Sequence, residues 1–384
     1  MASPPSWKPY GRLARLAMLV GALGACTTRM AEPPLPQQTI VQPPEITVDP
    51  DTGEHSLYLS VLIYNIAALP WPIKANRTRA IRLIGAELAA MRTRGEEPDI
   101  VMIQEGFRRS IKELIRASGY PNWVRGPKTG DTMPKYSERA PEAFRSESYF
   151  WKGERLGKIM DSGLYILSNW PIVAKGTQAF YRHECAGFDC GANKGILSAD
   201  IAVPGMPGTL QLYTTHLNSR GSTGVPEARS LIAHTLQIDH LDEYFDARWD
   251  REQPVIFGGD FNMKSARDRL DYAVGRHSVL TDTPVFIVQH YCTVLVRDCD
   301  VRMSYDSDEP WLDTNDLQGW VPGRYVHVRA VEVDAWFDTP YPGAPKIRGR
   351  TTLSDHDGLF VRYRLSWTPQ APAAKKESRA RTVE

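Results

Sequence analysis

Two short groups of polar residues in this chain have the types and spacing to act together. Ser354, Asp355 and His356 are consecutive, and well upstream Gly259, Asp260, Phe261 and Asn262 follow the apolar run Val255, Ile256, Phe257. A carboxylate, an amide and an imidazole held at strand ends can surround one phosphate, where a cation neutralises charge and a histidine takes a proton from water. The chemistry such a set would do is metal-assisted hydrolysis of a phosphodiester. Each group alone has an ordinary reading, since Asp-Phe-Asn also suits a turn and a lone histidine is commonly structural.

The elements that must position these residues alternate along the chain. Leu57 to Ile66 reads as a strand, Asn76 to Arg94 as a helix with Ile81, Ile84, Leu88 and Met91 on one face, and Ile100 to Ile103 as a short strand. Further apolar runs lie at Leu164 to Leu167, Ile196 to Val203, Leu210 to Thr215, Val255 to Phe257, Val331 to Phe337 and Leu359 to Arg364. A helix over Pro226 to Phe245 fits between two of them, with proline in its first turn. This is an α/β pattern. Polar residues follow the strands repeatedly: Asn65, Glu105, His216 with Asn218, and Asp260 with Asn262, while Asp355 and His356 precede the last strand. Strand ends are where a sheet aims side chains into a common cleft.

The flanks read differently. Lys8, Arg12 and Arg15 precede the apolar stretch Leu16 to Leu23, which is too short to span a membrane and reads as a signal peptide over 1–25. From 26 to 54 the chain is rich in proline with little apolar periodicity, and it is expected to be a tether. Residues 55–367 form the expected folded domain, and 368–384, basic and rich in alanine, a disordered tail. Lys and Arg total 46 against 45 acidic residues, so no global basic bias points to a polyanion. Of the five cysteines, Cys185 and Cys190 form one local pair and Cys292 and Cys299 another. Neither has the two-residue spacing of a zinc knuckle, so disulfides in an oxidising compartment are favoured over zinc.

Taken in order, the segments LIYNI, IQE, THLN, GGDFN and SDH resemble the endonuclease/exonuclease/phosphatase superfamily over about Leu57 to Tyr363. Asp161 to Ser168, followed by Trp170-Pro171-Ile172 and then Asn193-Lys194-Gly195, look like its neutral sphingomyelinase branch. The resemblance implies a four-layered α/β sandwich, two mixed β-sheets packed face to face with helices outside. It implies Mg²⁺, or another divalent cation such as Mn²⁺, at Asn65 and Glu105 with Asp355 in support. His356 becomes the general base, oriented by Asp334. Asp260 and Asn262 position water and a phosphate oxygen, and His216 with Asn218 donate to the phosphoryl oxygens. Lys194 reads equally as a phosphate ligand or as a solvated turn residue before a strand, and stays outside this set. Separately, Leu23-Gly24-Ala25-Cys26 resembles the lipobox of bacterial lipoproteins. That implies a lipidated Cys26 and a place in the cell envelope at the outer membrane, anchored at roughly 0.8 kcal/mol per buried methylene.

Three readings follow. The first is phospholipase C type hydrolysis of sphingomyelin or a related phospholipid by in-line attack of water. The second is a secreted metal-dependent nuclease, with nucleic acid as the partner. The third, a non-catalytic adhesin, has no need for the full polar set. Trp311, Trp320, Trp336 and Phe337 either touch lipid or fill the core.

Overall fold

The strand His55–Asn65 shows how sequence sets the frame. Leu57, Leu59, Val61 and Ile63 point one way, into a core between two sheets, while Leu62 and Tyr64 point the other way, beneath helices. A strand buried on both faces reads as a near-continuous apolar run, which is what this segment is.

The computed structural model describes residues 32–131, 139–275, 287–296, 298–303 and 310–369. Its strands are β1 (Ile46–Val48), β2 (His55–Asn65), β3 (Ile100–Gln104), β4 (Asn122–Arg125), β5 (Tyr165–Ser168), β6 (Ile172–Ala179), β7 (Gly195–Ile201), β8 (Leu210–His216), β9 (Val255–Asp260), β10 (Asp300–Val301), β11 (Asp316–Val321), β12 (His327–Trp336) and β13 (Gly358–Trp367). One sheet runs β10-β12-β13-β2-β3-β5-β4 with β1 added to β2, and the other runs β11-β9-β8-β7-β6. Both are mixed, and each contains one parallel pair, β2 with β3 and β8 with β9, besides β10 with β12 at an edge. Parallel neighbours need a crossover, and the helices Arg77–Arg94 and Glu227–Arg248 supply the two central ones. Each packs on the outer face of its own sheet, Ile81, Ile84 and Leu88 on the first and Ile238, Leu241 and Phe245 on the second. The result is the expected four-layered sandwich. No helix among the described residues is long and apolar enough to cross a membrane.

The flanks depart from expectation. From Glu32 the proline-rich segment is docked on the domain: Glu32 pairs with Lys175 at 2.6 Å, Gln37 exchanges hydrogen bonds with the Trp123 backbone, and the Gln42 carbonyl accepts from the Trp170 indole. Ile46–Val48 then joins the sheet. Low apolar content hid this, because the docking uses backbone and polar groups. Cys26, the signal stretch and 370–384 lie outside the described residues. Both cysteine pairs are disulfides, with Cα separations of 5.2 Å.

Candidate active site

Topology brings the polar residues to one end of the sandwich. Parallel pairing places the C-terminal ends of β2 and β3 together, and those of β8 and β9 together. β13 is antiparallel to β2, so Asp355 and His356, just ahead of it, return to the end marked by Asn65. β11 is antiparallel to β9, with Asp316 opposite Asp260. β7 is antiparallel to β8, which brings Lys194, just before β7, beside His216. The two-residue period then chooses the face. Leu59, Val61 and Ile63 face the space between the sheets, and so does Asn65. Leu212 sets the same direction for His216, Ile256 for Asp260, and Trp320 for Asp316.

The side chains form one linked group. Asn65 Nδ2 donates to Asp260 Oδ2 at 2.8 Å and to Glu105 Oε1 at 3.2 Å, while its Oδ1 accepts from the Ala67 amide. His216 Nε2 is 3.4 Å from Asp260 Oδ2, and His356 Nε2 is 3.9 Å from it. His356 Nδ1 is 2.7 Å from Asp316 Oδ2. The segment carrying His356 is fixed by Ser354, whose hydroxyl donates to the Asn65 carbonyl at 2.6 Å. Buried Arg77 ties the same region together, donating to the carbonyls of Ala67, Ile66 and Leu353. Glu105 holds φ +57°, a left-handed conformation that a side-chain-bearing residue adopts at a cost and that clusters at functional positions. Gly259 allows the sheet to close here, since a Cβ would lie 2.2 Å from the Thr215 carbonyl oxygen on β8.

Electrostatics separate the two histidines. Burial, then Lys194 and His356, hold the His216 imidazole well below its ordinary range, so it is neutral. Burial alone would lower His356 too, but Asp316, with Asp260 and Glu105, outweighs it and raises the imidazole. Burial pushes the Asp260 carboxyl up. Lys194 is buried, donating to Asp189 Oδ2 at 2.7 Å, to the Leu217 carbonyl at 2.9 Å and toward His216 Nε2 at 3.1 Å. His216 Nε2 thus lies between the Lys194 ammonium and the Asp260 carboxylate, while its Nδ1 is buried without a hydrogen-bond partner.

These residues fit a hard divalent cation. The ligand atoms of Glu105, His216 and Asp260 lie within 4.8 Å of one another, as do those of Asp260, Asp316 and His356. Glu105 Oε2 and Asp316 Oδ1 are buried carboxylate oxygens with no hydrogen-bond partner, the kind of atom a cation satisfies. The group opens into a cavity of about 740 Å³. Part of its wall is apolar, from Leu69, Phe107, Trp151, Ile159, Met160 and Phe188, and part is charged.

The structure brings together Asn65, Glu105, His216, Asp260, Asn262 and His356 of the expected set, and it corrects three placements. Asp334 does not orient His356. Its neighbour Val333 faces the space between the sheets, so Asp334 faces outward, accepting from the Ala335 amide and the Trp336 indole, and Asp316 takes the histidine. Asp355 lines the same cavity but belongs to neither clustered ligand group, and both its oxygens are taken up by Lys74 Nζ at 2.9 Å. Asn218 is fully buried, its Oδ1 accepting from the Ala186 N–H and its Nδ2 donating to the Ser219 carbonyl, and it is not among the residues that line the cavity. Sequence reasoning missed Asp316, Arg77 and the buried Lys194. The alternation Asp316-Leu-Gln-Gly-Trp-Val321 carried a strand signal that could have found the first. Trp320 fills the core against Tyr363, Trp336 stacks on Phe360, Phe337 on Tyr64, and Trp311 packs on His290; exposed aromatics among the described residues instead include Trp71, Phe150, Trp151 and Phe188.

No family model and no curated protein sequence matches the chain. Solved structures do. Sphingomyelinase C from Streptomyces griseocarneus superposes with a TM-score of 0.54 at 20% identity, covering 79% of this chain and 99% of that one. A beta toxin from Staphylococcus aureus with bound magnesium ions gives 0.52 at 14% identity, covering 81% and 99%. An endonuclease/exonuclease/phosphatase family protein from Bacteroides thetaiotaomicron gives 0.51 at 16%, covering 80% and 98%. With two mixed sheets face to face, helices outside and the polar strand ends gathered at one rim, this chain has the fold of the endonuclease/exonuclease/phosphatase superfamily.

Proposed function

We propose that this chain is a metal-dependent phosphodiesterase that cleaves a phospholipid, sphingomyelin or a related lipid, in the manner of a phospholipase C. The observation that carries the reading is the Asp316–His356 pair beside the Glu105 and Asp260 carboxylates, opening into a cavity with an apolar wall. His356 Nε2 faces the site while Nδ1 is fixed by Asp316, the arrangement of an oriented general base. Glu105 and Asp260, with Asn65 beside them, would hold a divalent cation. When bound, it would neutralise Glu105 and Asp260, which raise His356 alongside Asp316, and the charge building on the phosphoryl oxygens.

The chain's own groups then divide the work. His356 Nε2 takes a proton from water as the water oxygen bonds to phosphorus. The bond from phosphorus to the lipid alcohol oxygen breaks, and that oxygen leaves as the alcohol after taking a proton from solvent. Asn262, fixed by the Asp260 carboxylate and the Leu217 carbonyl, and Lys194, fixed by Asp189, place donors and positive charge near the phosphoryl oxygens. The apolar wall suits the lipid portion better than it suits a nucleotide. We further propose that lipidation of Cys26 holds the protein on the bacterial cell envelope, at the outer membrane. Replacing Cys26 with Ala should move the protein from the membrane to the soluble fraction, and continued membrane retention would refute the anchor.

The direct test uses sphingomyelin and phosphatidylcholine liposomes beside duplex DNA, with Mg²⁺ and then EDTA. Release of a phosphorylated head group that EDTA abolishes supports the proposal. Nicked DNA with intact lipid would move the same residues to a nuclease.

A further inference from the structure

Besides the carboxylates, the cavity wall carries five cations, Lys74, Lys194, Arg220, Lys264 and Arg348 among them a set of unequal freedom. Three are held by the protein. Lys194 and Lys74 are paired as described, and Arg220 donates to Glu227 and to the carbonyls of Lys264 and Ser265. Lys264 and Arg348 differ. Lys264 is exposed, two residues beyond Asn262, and its ammonium has no hydrogen-bond or ion-pair partner among the described residues. Arg348 is 82% exposed and reaches Asp355 only at 3.5 Å, where Lys74 already holds both carboxylate oxygens.

The turn that carries Arg348 is unusual. Ile347 and Arg350 exchange both backbone hydrogen bonds, at 2.8 and 2.9 Å, around Arg348 at φ +48° and Gly349 at φ +85°. Two successive positive φ values are those of a type I′ turn, whose first central position favours Asn, Asp or Gly. Arginine there is strained, and residues kept in such conformations cluster at ligand clamps. The turn reads Lys346-Ile-Arg-Gly-Arg350, so exposed Lys346 and Arg350 flank Arg348 in sequence, and Arg348 itself lines the cavity. On the aromatic side, Lys152 lies over the Phe188 ring at 5.3 Å, so a cation of the chain already occupies one face of that ring.

We infer that Lys264 and Arg348 recognise a negatively charged head group, so that the preferred substrate is an acidic phospholipid rather than a choline lipid. The inference rests on the phospholipid reading above and, within it, selects a related acidic lipid over sphingomyelin itself. A choline head would bring a fixed positive charge toward two cations that lack full carboxylate partners, whereas an acidic head supplies Lys264 with a partner and competes only with the 3.5 Å contact of Arg348 to Asp355.

The test is kcat/KM in neutral detergent micelles at fixed lipid fraction, comparing phosphatidylglycerol and phosphatidylinositol 4-phosphate with sphingomyelin and phosphatidylcholine, and adding duplex DNA. Two exposed charge contacts predict a preference of about tenfold for acidic over choline lipid at low salt, shrinking as salt screens them. In the double variant Lys264→Ala, Arg348→Asn the ratio should fall to near one; asparagine suits the turn, so the backbone is preserved. A choline preference, a ratio unchanged by salt and by the double variant, or faster turnover of DNA than of any lipid would overturn the inference. Bis(p-nitrophenyl) phosphate separates the two failures. Without EDTA-sensitive cleavage of it, the phosphodiesterase reading falls as well, and with such cleavage but no head-group preference, only this inference falls.

Discussion

Replacing Asp316 with Asn gives the sharpest perturbation of the site, because sequence and structure assign the histidine's partner differently. Asp316 Oδ2 is 2.7 Å from His356 Nδ1, and Asp316 is nearly fully buried. Asparagine keeps the shape but removes the charge. A hydrogen bond to a charged group contributes about 1.5–3 kcal/mol, so losing its stabilisation of the developing imidazolium predicts a fall in kcat of roughly 10- to 150-fold. A second signature has a definite sign. Asp316 is the leading group that raises His356 against burial, so its removal lowers the imidazole and moves the acid limb of the pH–rate profile to lower pH. Mere structural damage would lower the plateau without moving that limb. The parallel variant Asp334→Asn removes only a contact to the Ala335 amide and the Trp336 indole, and should keep kcat within about threefold. The assay is bis(p-nitrophenyl) phosphate turnover with Mg²⁺ from pH 5 to 10, with thermal unfolding of each variant as a control. Near-normal kcat and an unmoved limb in Asp316→Asn, with collapse in Asp334→Asn, would refute the reasoning.

Glu105→Gln should weaken Mg²⁺ binding by about tenfold or more in titration calorimetry, since one carboxylate leaves a small oxygen shell; unchanged affinity would remove Glu105 from it. Gly259→Ala should destabilise the fold by about 2 kcal/mol or more in chemical denaturation, because the new methyl meets the Thr215 carbonyl of the neighbouring strand, and a loss below about 0.5 kcal/mol would show that the strands can separate freely. His234, buried and with Nε2 2.8 Å from the Phe261 carbonyl, is lowered to about 3 by burial and then by Arg269. A depressed histidine contributes stability that is full above its ordinary value of about 6.5 and is lost as pH falls toward the folded value, by at most roughly 5 kcal/mol. The denaturant midpoint should therefore drop from pH 7 to pH 4 more steeply in the wild type than in His234→Gln, and equal slopes would dismiss His234 as the source.

Much of the site was legible because its residues end strands that announce themselves. Leu57 to Ile66 and Val255 to Phe257 are apolar runs, and Asn65, Glu105, His216 and Asp260 could be placed from them. The α/β class followed from the alternation of strands and helices, and the four layers from the resemblance that the ordered motifs carry. What could not be read was register. Asp334 and Asp316 both lie on strands reaching the same rim, and only the side-chain parity fixed by pairing decides which of them faces His356. Lys194 was misjudged for a related reason: a lysine before a glycine looks solvated until the strand behind it is seen to run into His216. Asn218 looked available because a sequence does not show that the Ala186 amide and the Ser219 carbonyl already claim it. The docked proline-rich segment escaped notice because its contacts are made by backbone groups and by single polar residues such as Glu32 and Gln37.

The most direct test of the central claim is bis(p-nitrophenyl) phosphate turnover by the wild type and by His356→Ala, each with Mg²⁺ and with EDTA. The account predicts hydrolysis that EDTA abolishes and that falls about a hundredfold or more in the variant, with the unfolding transition retained. Turnover that survives EDTA, or a His356→Ala protein that works nearly as well as the wild type, would contradict it.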